Sequence, residues 1–184
     1  MTCIVGITDG ATVTIGGDSA GVAGWQVTVR ADQKVWAVNG WAFGFTTSFR
    51  MGQLLRWSLV PPPVEGDLER YMATTFIDAV RACLKAGGFA KADNGREEGG
   101  EFLVGHAGRL FQVASDYQVG EPAEGVAAVG CGDEFALGAV LAQRPATPAK
   151  VRVIRALEIA ARCSGAVAGP FHVVSVRESR PRAS

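Results

Sequence analysis

The stretch TCIVGITDGATVTIGGD, which begins at Thr2 and ends at Asp18, is the most informative part of the sequence. Residues 3–7 form an apolar run typical of a buried strand, Asp9-Gly10 is a tight-turn sequence, and residues 12–16 predict the returning strand. Because the turn lies midway between these strands, pairing them brings the start of the first close to the end of the second. The hairpin therefore predicts that Thr2 and Asp18 are neighbours.

Length and composition exclude several classes of protein. With 184 residues, 48% of them apolar, the chain can bury one core, and we expect a single domain over residues 1–177 with a polar tail at 178–184. The 18 lysines and arginines balance 18 aspartates and glutamates, which leaves no basic footprint for nucleic acid or for an anionic membrane. We expect neither as a partner.

Cysteine and histidine usage favours a cytoplasmic protein without cofactors. The four cysteines are scattered without CxxC spacing: Cys3, Cys83, Cys131 and Cys163. The N-terminus lacks the charged region and long apolar run of a signal peptide, so we expect a cytoplasmic location and reduced thiols. His106 and His172 are isolated and are predicted to be structural. We expect no metal ion and no other cofactor.

Short, turn-bounded apolar runs predict the remaining strands. Residues 26–30, 34–38 and 41–45 are expected to complete the first sheet. A second sheet is expected to begin with a hairpin over residues 102–117 that turns at residues 107–109, and to continue at residues 126–130. The last strand is predicted at residues 172–177, and the charged, glycine-rich segment at residues 91–100 predicts a mobile loop.

Capping residues and apolar periodicity predict helices in two pairs. In the first pair, Ser48 caps a helix that reaches about residue 59, and Asp67 caps a helix that ends at Gly87-Gly88. The second pair is predicted at residues 132–142 and 147–164. The order of strands, two helices, strands, two helices and a strand predicts an α+β fold, a four-layer αββα sandwich of two antiparallel sheets flanked by helices.

Thr2 is the residue with the clearest potential for chemistry. Cytosolic methionine aminopeptidases remove an initiator Met before a small residue, so removal of Met1 would give Thr2 both a hydroxyl and a free α-amine. An α-amine has a reference pKa of about 7.7 to 8.0, so near neutral pH a fraction of it can accept the hydroxyl proton. Such a residue contains its own nucleophile and base.

Three short stretches carry a resemblance to a known family: TCIVG at residues 2–6, IGGDS at residues 15–19 and QKV at residues 33–35. They resemble the proteasome β-subunit family of N-terminal nucleophile hydrolases, which includes the HslV peptidase, and the spacings from Thr2 to Asp18 and to Lys34 match without a gap. The similarity continues more weakly through four later stretches: residues 44–47, 129–132, 156–160 and 171–173.

The resemblance implies a role for each of five residues. Thr2 would attack an amide carbonyl through its side-chain oxygen and form an ester that water later hydrolyses. Lys34 would favour the deprotonated hydroxyl and amine, and Asp18 would hold the Lys34 ammonium. The Thr47 backbone N–H would stabilise the oxyanion. Cys131 occupies the position where proteasomes carry a serine near the amine.

The same resemblance implies assembly into a ring or related homo-oligomer that acts on peptides or unfolded proteins. A separate ATP-dependent unfoldase is a further partner consistent with it. Two departures from the family pattern stand out. The family usually has glycine at the position of Thr47. This sequence also lacks the family's auxiliary Asp around residues 161–163, although it retains Ser164-Gly165. These departures favour one alternative, a weakly active or silent scaffold protein. A second alternative, an amidase for a small molecule, is open because the chemistry of the nucleophile does not select peptides.

Each assignment also has a purely structural alternative. Asp18 could be a turn residue, Lys34 a solvated charge at a strand edge, and Cys131 a small buried thiol at a strand end. Four aromatic residues near the candidate site in sequence could line a substrate pocket or pack in the core: Trp25, Trp36, Trp41 and Phe45.

Overall fold

The computed structural model describes residues 2–89, 91–93 and 96–178, without the side chains of residues 91–93 and 96. The strands are β1 Cys3–Thr8, β2 Thr12–Gly17, β3 Ala20–Ala23, β4 Gln26–Val29, β5 Val35–Val38, β6 Trp41–Phe45, β7 Lys91–Asp93, β8 Arg96–Glu98, β9 Phe102–His106, β10 Arg109–Val113, β11 Val119–Gly120, β12 Val126–Gly130 and β13 His172–Arg177. The helices are α1 Phe49–Trp57, α2 Leu68–Tyr71, α3 Ile77–Ala86, α4 Asp133–Leu141 and α5 Ala149–Cys163, and a π-helical segment, Met72–Phe76, joins α2 to α3.

The first sheet has the strand order β12, β1, β2, β13 and is antiparallel throughout. Its central hairpin turns as the sequence predicts, because Asp9 Oδ1 accepts hydrogen bonds from the backbone N–H groups of Ala11 at 3.0 Å and Thr12 at 2.7 Å. Gly10 has a φ of +85°, a conformation that glycine adopts without strain. The pairing of Ile4 with Gly17 brings the two ends of the hairpin together.

The second sheet has the strand order β11, β10, β9, β6, β5 and is also antiparallel. Its β9–β10 hairpin turns at Ala107 and Gly108, whose φ angles of +47° and +76° are those of a type I′ turn. This turn lies where the sequence predicts it.

The two sheets pack face to face, and helices cover the outer face of each. Between the sheets lies an apolar layer that includes Ile4, Ile15 and Leu103, all fully buried. Helices α4 and α5 cover the first sheet, and α1 and α3 form an aromatic-rich cluster with the second. The predicted α+β class and the four-layer αββα sandwich are therefore confirmed.

Strand membership of the sheets was predicted wrongly in two respects. Strands β5 and β6 belong to the second sheet, whereas β3 and β4 form a separate two-stranded hairpin. Strand β12, expected in the second sheet, pairs with β1 in the first. Apolar alternation identifies a strand but not its partner, because pairing between strands distant in sequence depends on the tertiary fold.

The segment at residues 91–100, predicted to be a mobile loop, instead contains the paired strands β7 and β8. The Arg81 side chain of α3 donates a hydrogen bond to Glu97 at 2.9 Å, which ties this charged hairpin to the helix. Of the predicted tail at residues 178–184, all but Glu178 lies outside the described residues. In the described part of the chain, every helix is too short or too polar to cross a bilayer.

Candidate active site

Thr2 directly precedes β1, the strand between β12 and β2. The next residue, Cys3, pairs with Gly130 of β12, and Ile4 pairs with Gly17 at the end of β2. Thr2 is only 4% exposed. Its place in the middle of the first sheet therefore puts its side chain next to residues from the ends of both neighbouring strands.

Asp18 follows β2, and its side chain is fully buried. Its Oδ1 atom accepts a hydrogen bond from the Cys3 N–H at 3.1 Å, and its Oδ2 atom accepts from the N–H groups of Ala20 at 2.9 Å and Ala168 at 3.4 Å. Backbone amides from three segments thus replace the water that a carboxylate would otherwise bind. Asp18 is more than a turn residue, because it connects the start of the chain to the segment before β13.

Lys34 directly precedes β5, and its side chain is fully buried. Its Nζ atom donates to Thr2 Oγ1 at 2.8 Å, to Asp18 Oδ1 at 2.8 Å and to the Ala20 carbonyl oxygen at 2.6 Å. These three acceptors match the three N–H bonds of an ammonium group. Burial lowers the pKa of Lys34, and the neighbouring Asp18 carboxylate opposes that effect. The alternative of a solvated strand-edge charge is wrong.

Cys131 contacts the backbone nitrogen of Thr2, the atom that becomes an α-amine if Met1 is removed. This nitrogen donates to Cys131 Sγ at 3.2 Å, and the thiol lies 3.4 Å from the Thr2 carbonyl oxygen. Ser164 Oγ is 4.0 Å from the same sulfur. Because Cys131 is exposed, the alternative of a small buried thiol is wrong. The thiol lies where it can hydrogen-bond to the amine and also reach solvent.

Thr47 adopts the left-handed conformation, with a φ of +63°, which is unusual for a β-branched residue. Its Oγ1 atom accepts a hydrogen bond from the Glu101 N–H at 3.0 Å, and the Glu101 carbonyl accepts from the Thr46 N–H at 3.1 Å. The Thr47 N–H has no hydrogen-bond partner within the described residues. Thr47 thus keeps a glycine-like backbone and leaves one N–H available.

Gly130 is a neighbour of the site that sequence reasoning missed. Its φ is +102°, and a Cβ atom added to it would collide with the carbonyl oxygen of Thr2 and lie 3.0 Å from Thr46 Oγ1. Only glycine allows the end of β12 to approach Thr2 this closely. The sequence signal is the pair of glycines that flank Cys131.

The other candidate residues lie elsewhere or are inert. Trp36, Trp41 and Phe45 pack in the core between the second sheet and its helices, and Trp25 is fully exposed at the β3–β4 turn. The thiol of Cys3 is buried, which raises its pKa and disfavours the reactive thiolate.

The two histidines do not lie in the candidate site. The His106 ring stacks on Trp41 with a centroid separation of 3.9 Å, burial lowers its pKa, and His172 begins β13. Among the described residues, no group of three or more His, Cys, Asp or Glu side chains is placed to hold a metal ion.

Solved structures of low sequence identity share this fold. BPH from Thiobacillus denitrificans, in complex with epoxomicin, is 20% identical with a TM-score of 0.78, and the match covers 97% of this chain and 100% of that one. HslV from Trypanosoma brucei is 20% identical with a TM-score of 0.70, covering 95% of this chain and 99% of that one. The Anbu Gly-1 mutant from Hyphomicrobium sp. strain MC1 is 15% identical with a TM-score of 0.69, covering 96% and 82%.

No family model matches the sequence, and no curated protein is significantly similar to it. The three structural neighbours are proteasome-type N-terminal nucleophile hydrolases, so the resemblance stated from the sequence is confirmed at the level of the fold.

Proposed function

We propose that the chain is a threonine-type amide hydrolase that cleaves peptides or unfolded proteins with Thr2 as its nucleophile after removal of Met1. One observation carries the proposal. Lys34 Nζ lies 2.8 Å from Thr2 Oγ1 and 2.8 Å from Asp18 Oδ1, and all three side chains are buried together. Burying a charged lysine and carboxylate costs desolvation free energy. Such groups cluster at functional sites, so a buried pair that also hydrogen-bonds a single threonine hydroxyl indicates a role for that hydroxyl.

In this proposal the proton of the Thr2 hydroxyl passes to the α-amine of the same residue. The Lys34 ammonium, which already donates three hydrogen bonds, stabilises the negative charge that develops on Thr2 Oγ1. Asp18 keeps the ammonium in place through its charge and its own backbone contacts. Attack on the amide carbonyl forms an ester with Thr2, the amine product leaves with the transferred proton, and water then hydrolyses the ester.

Two further groups complete the proposed site. The Thr47 N–H, available in its left-handed turn, would donate to the oxyanion of the tetrahedral intermediate. Cys131, 3.2 Å from the Thr2 nitrogen, would orient the amine in place of the serine found in proteasomes. An available N–H at Thr47 is the specific observation that favours an active site over a silent scaffold.

Self-assembly into a homo-oligomer is part of the proposal, as the family resemblance implies. Enclosure of the active sites in an oligomer would restrict entry to flexible chains. A separate ATP-dependent unfoldase would supply such chains from folded proteins. We propose a cytoplasmic location on the basis of the sequence.

Intact mass spectrometry of protein expressed without an N-terminal tag tests the proposal. We expect the mass of a chain that begins at Thr2, and we expect epoxomicin, the compound bound in the BPH complex, to add its mass at Thr2. The matched variants are Thr2→Ser, which should label, and Thr2→Ala, which should not. Ala and Ser are both small, so Met1 removal is the same in each and only the hydroxyl differs.

The outcomes separate the alternatives. A chain that retains Met1 has no free α-amine at Thr2 and would exclude the mechanism. A chain that begins at Thr2 but does not label supports the silent scaffold instead. A chain that labels and hydrolyses a small amide, but no unfolded protein, supports the small-molecule amidase. The labelling rate should also rise with pH through about 7.7 to 8.0 as the α-amine loses its proton.

A further inference from the structure

Thr47 lies in a strained turn. The Ser48 N–H donates to the Thr46 carbonyl oxygen at 2.7 Å, so Thr47 is the central residue of a γ-turn, and its φ is +63°. A β-branched residue keeps this conformation only where the surrounding structure holds it. Ser48 caps helix α1 by accepting from the Arg50 N–H, which fixes the start of the helix but not the residue before the cap. The support for Thr47 comes from a distant segment, residues 99–101.

Glu101 holds the turn through two hydrogen bonds. Its N–H donates to Thr47 Oγ1 at 3.0 Å, and its carbonyl oxygen accepts from the Thr46 N–H at 3.1 Å. One bond anchors the side chain of Thr47, and the other anchors the residue before it. Glycine could not make the first bond because it has no side chain. The hydroxyl therefore gives threonine an anchor in a conformation that glycine would adopt through its backbone freedom alone.

Gly100 is buried against the Thr47 side chain. A Cβ atom added to Gly100 would lie 2.9 Å from Thr47 Cβ, 3.1 Å from Thr47 Cγ2 and 2.5 Å from Met51 Sδ. The φ of Gly100 lies outside the left-handed range, so the close contact, and not the backbone conformation, requires glycine here. The methionine side chain can move, but a larger residue would still press on Thr47.

The segment is also held at Gly99. The Gly99 N–H donates to the Ser115 carbonyl oxygen at 2.8 Å, and a Cβ atom added to Gly99 would lie 2.8 Å from Tyr117 Cε1. Tyr117 is only 9% exposed and is itself left-handed, with a φ of +66°. Its hydroxyl has no hydrogen-bond partner among the described residues, so the ring supports Gly99 by packing. Two left-handed residues, Tyr117 and Thr47, thus contact the two adjacent glycines.

The turn that contains Thr47 lies next to the nucleophile. A Cβ atom added to Gly130 would collide with the Thr2 carbonyl oxygen and lie 3.0 Å from Thr46 Oγ1. Thr46 and Thr2 therefore contact the same glycine. A shift of the Thr47 turn would change the position of its N–H relative to Thr2.

We propose that residues 99–101 position the Thr47 N–H for the oxyanion, with Gly100 and the Thr47 hydroxyl as the positioning residues. The inference rests on the proposed function, in which this N–H donates to the tetrahedral intermediate. A donor that is held in place before the reaction begins needs no reorganisation when negative charge develops, and such donors stabilise transition states most effectively. The segment acts through Thr47 and does not itself contact the substrate.

Gly100→Ala tests the contact between the segment and Thr47. Epoxomicin labelling over a range of concentrations gives the maximal labelling rate and the concentration that produces half of it. We expect the maximal rate to fall at least tenfold, because a displaced donor stabilises the oxyanion less. The half-maximal concentration should stay within threefold of the native value, because binding precedes formation of the oxyanion.

The matched control is Gly105→Ala. Its added methyl group collides with Val13 in the core between the sheets, so it overpacks a buried contact that does not involve Thr47. It should lower the free energy of unfolding in urea, as Gly100→Ala should, but leave both labelling parameters unchanged. A loss of stability alone would therefore not imitate the expected result.

Thr47→Val and Thr47→Ser test the hydroxyl. Valine keeps the shape of threonine without the hydroxyl, and serine keeps the hydroxyl without the methyl group. We expect the maximal labelling rate of Thr47→Ser to exceed that of Thr47→Val at least fivefold. Because Thr47 is exposed, neither substitution should prevent folding, so this pair tests the proposal even if Gly100→Ala does not fold.

A double variant tests whether Gly100 acts through Thr47. Thr47→Gly removes the side chain on which Gly100→Ala would press, so in that background we expect Gly100→Ala to slow labelling less than threefold. The same fold loss in both backgrounds, or equal rates for Thr47→Val and Thr47→Ser, would overturn the proposal.

The native protein separates the two levels of the argument. A native chain that begins at Thr2 and does not label would overturn the proposed function and this inference together. A native chain that labels, while Gly100→Ala labels at the same rate, would overturn the inference alone.

Discussion

Replacing Lys34 with methionine removes one charge from a buried ion pair and keeps most of the side-chain volume. The Nζ and Oδ1 atoms of Lys34 and Asp18 are 2.8 Å apart, and both side chains are fully buried. At an effective dielectric constant of about 20, two unit charges at this distance attract each other by about 6 kcal/mol. Breaking a buried pair from one side typically costs about 3–5 kcal/mol, because the remaining charge stays buried.

The contacts of Asp18 decide where in that range the loss falls. Three backbone N–H groups still donate to the carboxylate when the lysine is gone, and they stabilise its charge. We therefore expect Lys34→Met to lower the free energy of unfolding by about 3 kcal/mol, at the lower end of the range. Since small domains are stable by about 5–15 kcal/mol, the variant should fold and remain measurable.

Urea unfolding followed by tryptophan fluorescence gives these free energies by linear extrapolation. In a double-mutant cycle, Lys34→Met combined with Asp18→Asn should lose at least 2 kcal/mol less than the sum of the two single losses, a coupling in the range of about 0.5–3 kcal/mol for residues in contact. The matched control is Arg30→Met, which breaks a pair of similar N–O distance, 2.7 Å to Asp32, at the surface. That change should cost less than about 1 kcal/mol.

A loss for Lys34→Met no larger than that for Arg30→Met, together with additive losses for the two buried substitutions, would refute a strong buried ion pair. That result would mean that solvent reaches Lys34 and Asp18.

Substitutions at three further positions probe the surroundings of Thr2. Gly130→Ala adds a methyl group that collides with the Thr2 carbonyl, so epoxomicin labelling should slow at least tenfold; an unchanged rate would show that β12 can shift. Thr47→Gly relieves left-handed strain but loses the hydrogen bond from Glu101, so the unfolding free energy in urea should change by less than about 1 kcal/mol. Cys131→Ser keeps a hydrogen-bonding atom, so its labelling rate should be within threefold of the native rate, whereas the rate for Cys131→Val should fall about tenfold. Equal labelling rates for the two variants would show that the thiol has no role at the site.

The sequence predicts local structure well because the signals are local. The Asp9 side chain and Gly10 determine the first turn, Ser48 caps α1 by accepting a hydrogen bond from the Arg50 N–H, and Asp67 caps α2 in the same way from Arg70. Each of these contacts spans no more than three residues. The same holds for the nearness of Thr2 and Asp18, which follows from one hairpin.

Contacts between segments distant in sequence could not be predicted from local patterns. Nothing in strand β12 indicates that it pairs with β1 across more than 100 residues, so Gly130 was missed and β12 was assigned to the wrong sheet. No sequence pattern indicates that the backbone N–H of Ala168 donates to Asp18. The placement of Cys131 beside the Thr2 nitrogen was predicted, but only through the family resemblance.

The pairing of β1 with β12 also limits the time available for removal of Met1. Thr2 leaves the ribosome first, yet Cys131, which lies against its nitrogen, is 129 residues away and is made late. At about 5–20 residues per second, that separation corresponds to about 6–26 s of translation. Thr2 is 4% exposed once the sheet is complete, so an aminopeptidase that removes Met1 has to act within this interval. The speed of synthesis would then determine what fraction of the chains acquires a free threonine amine.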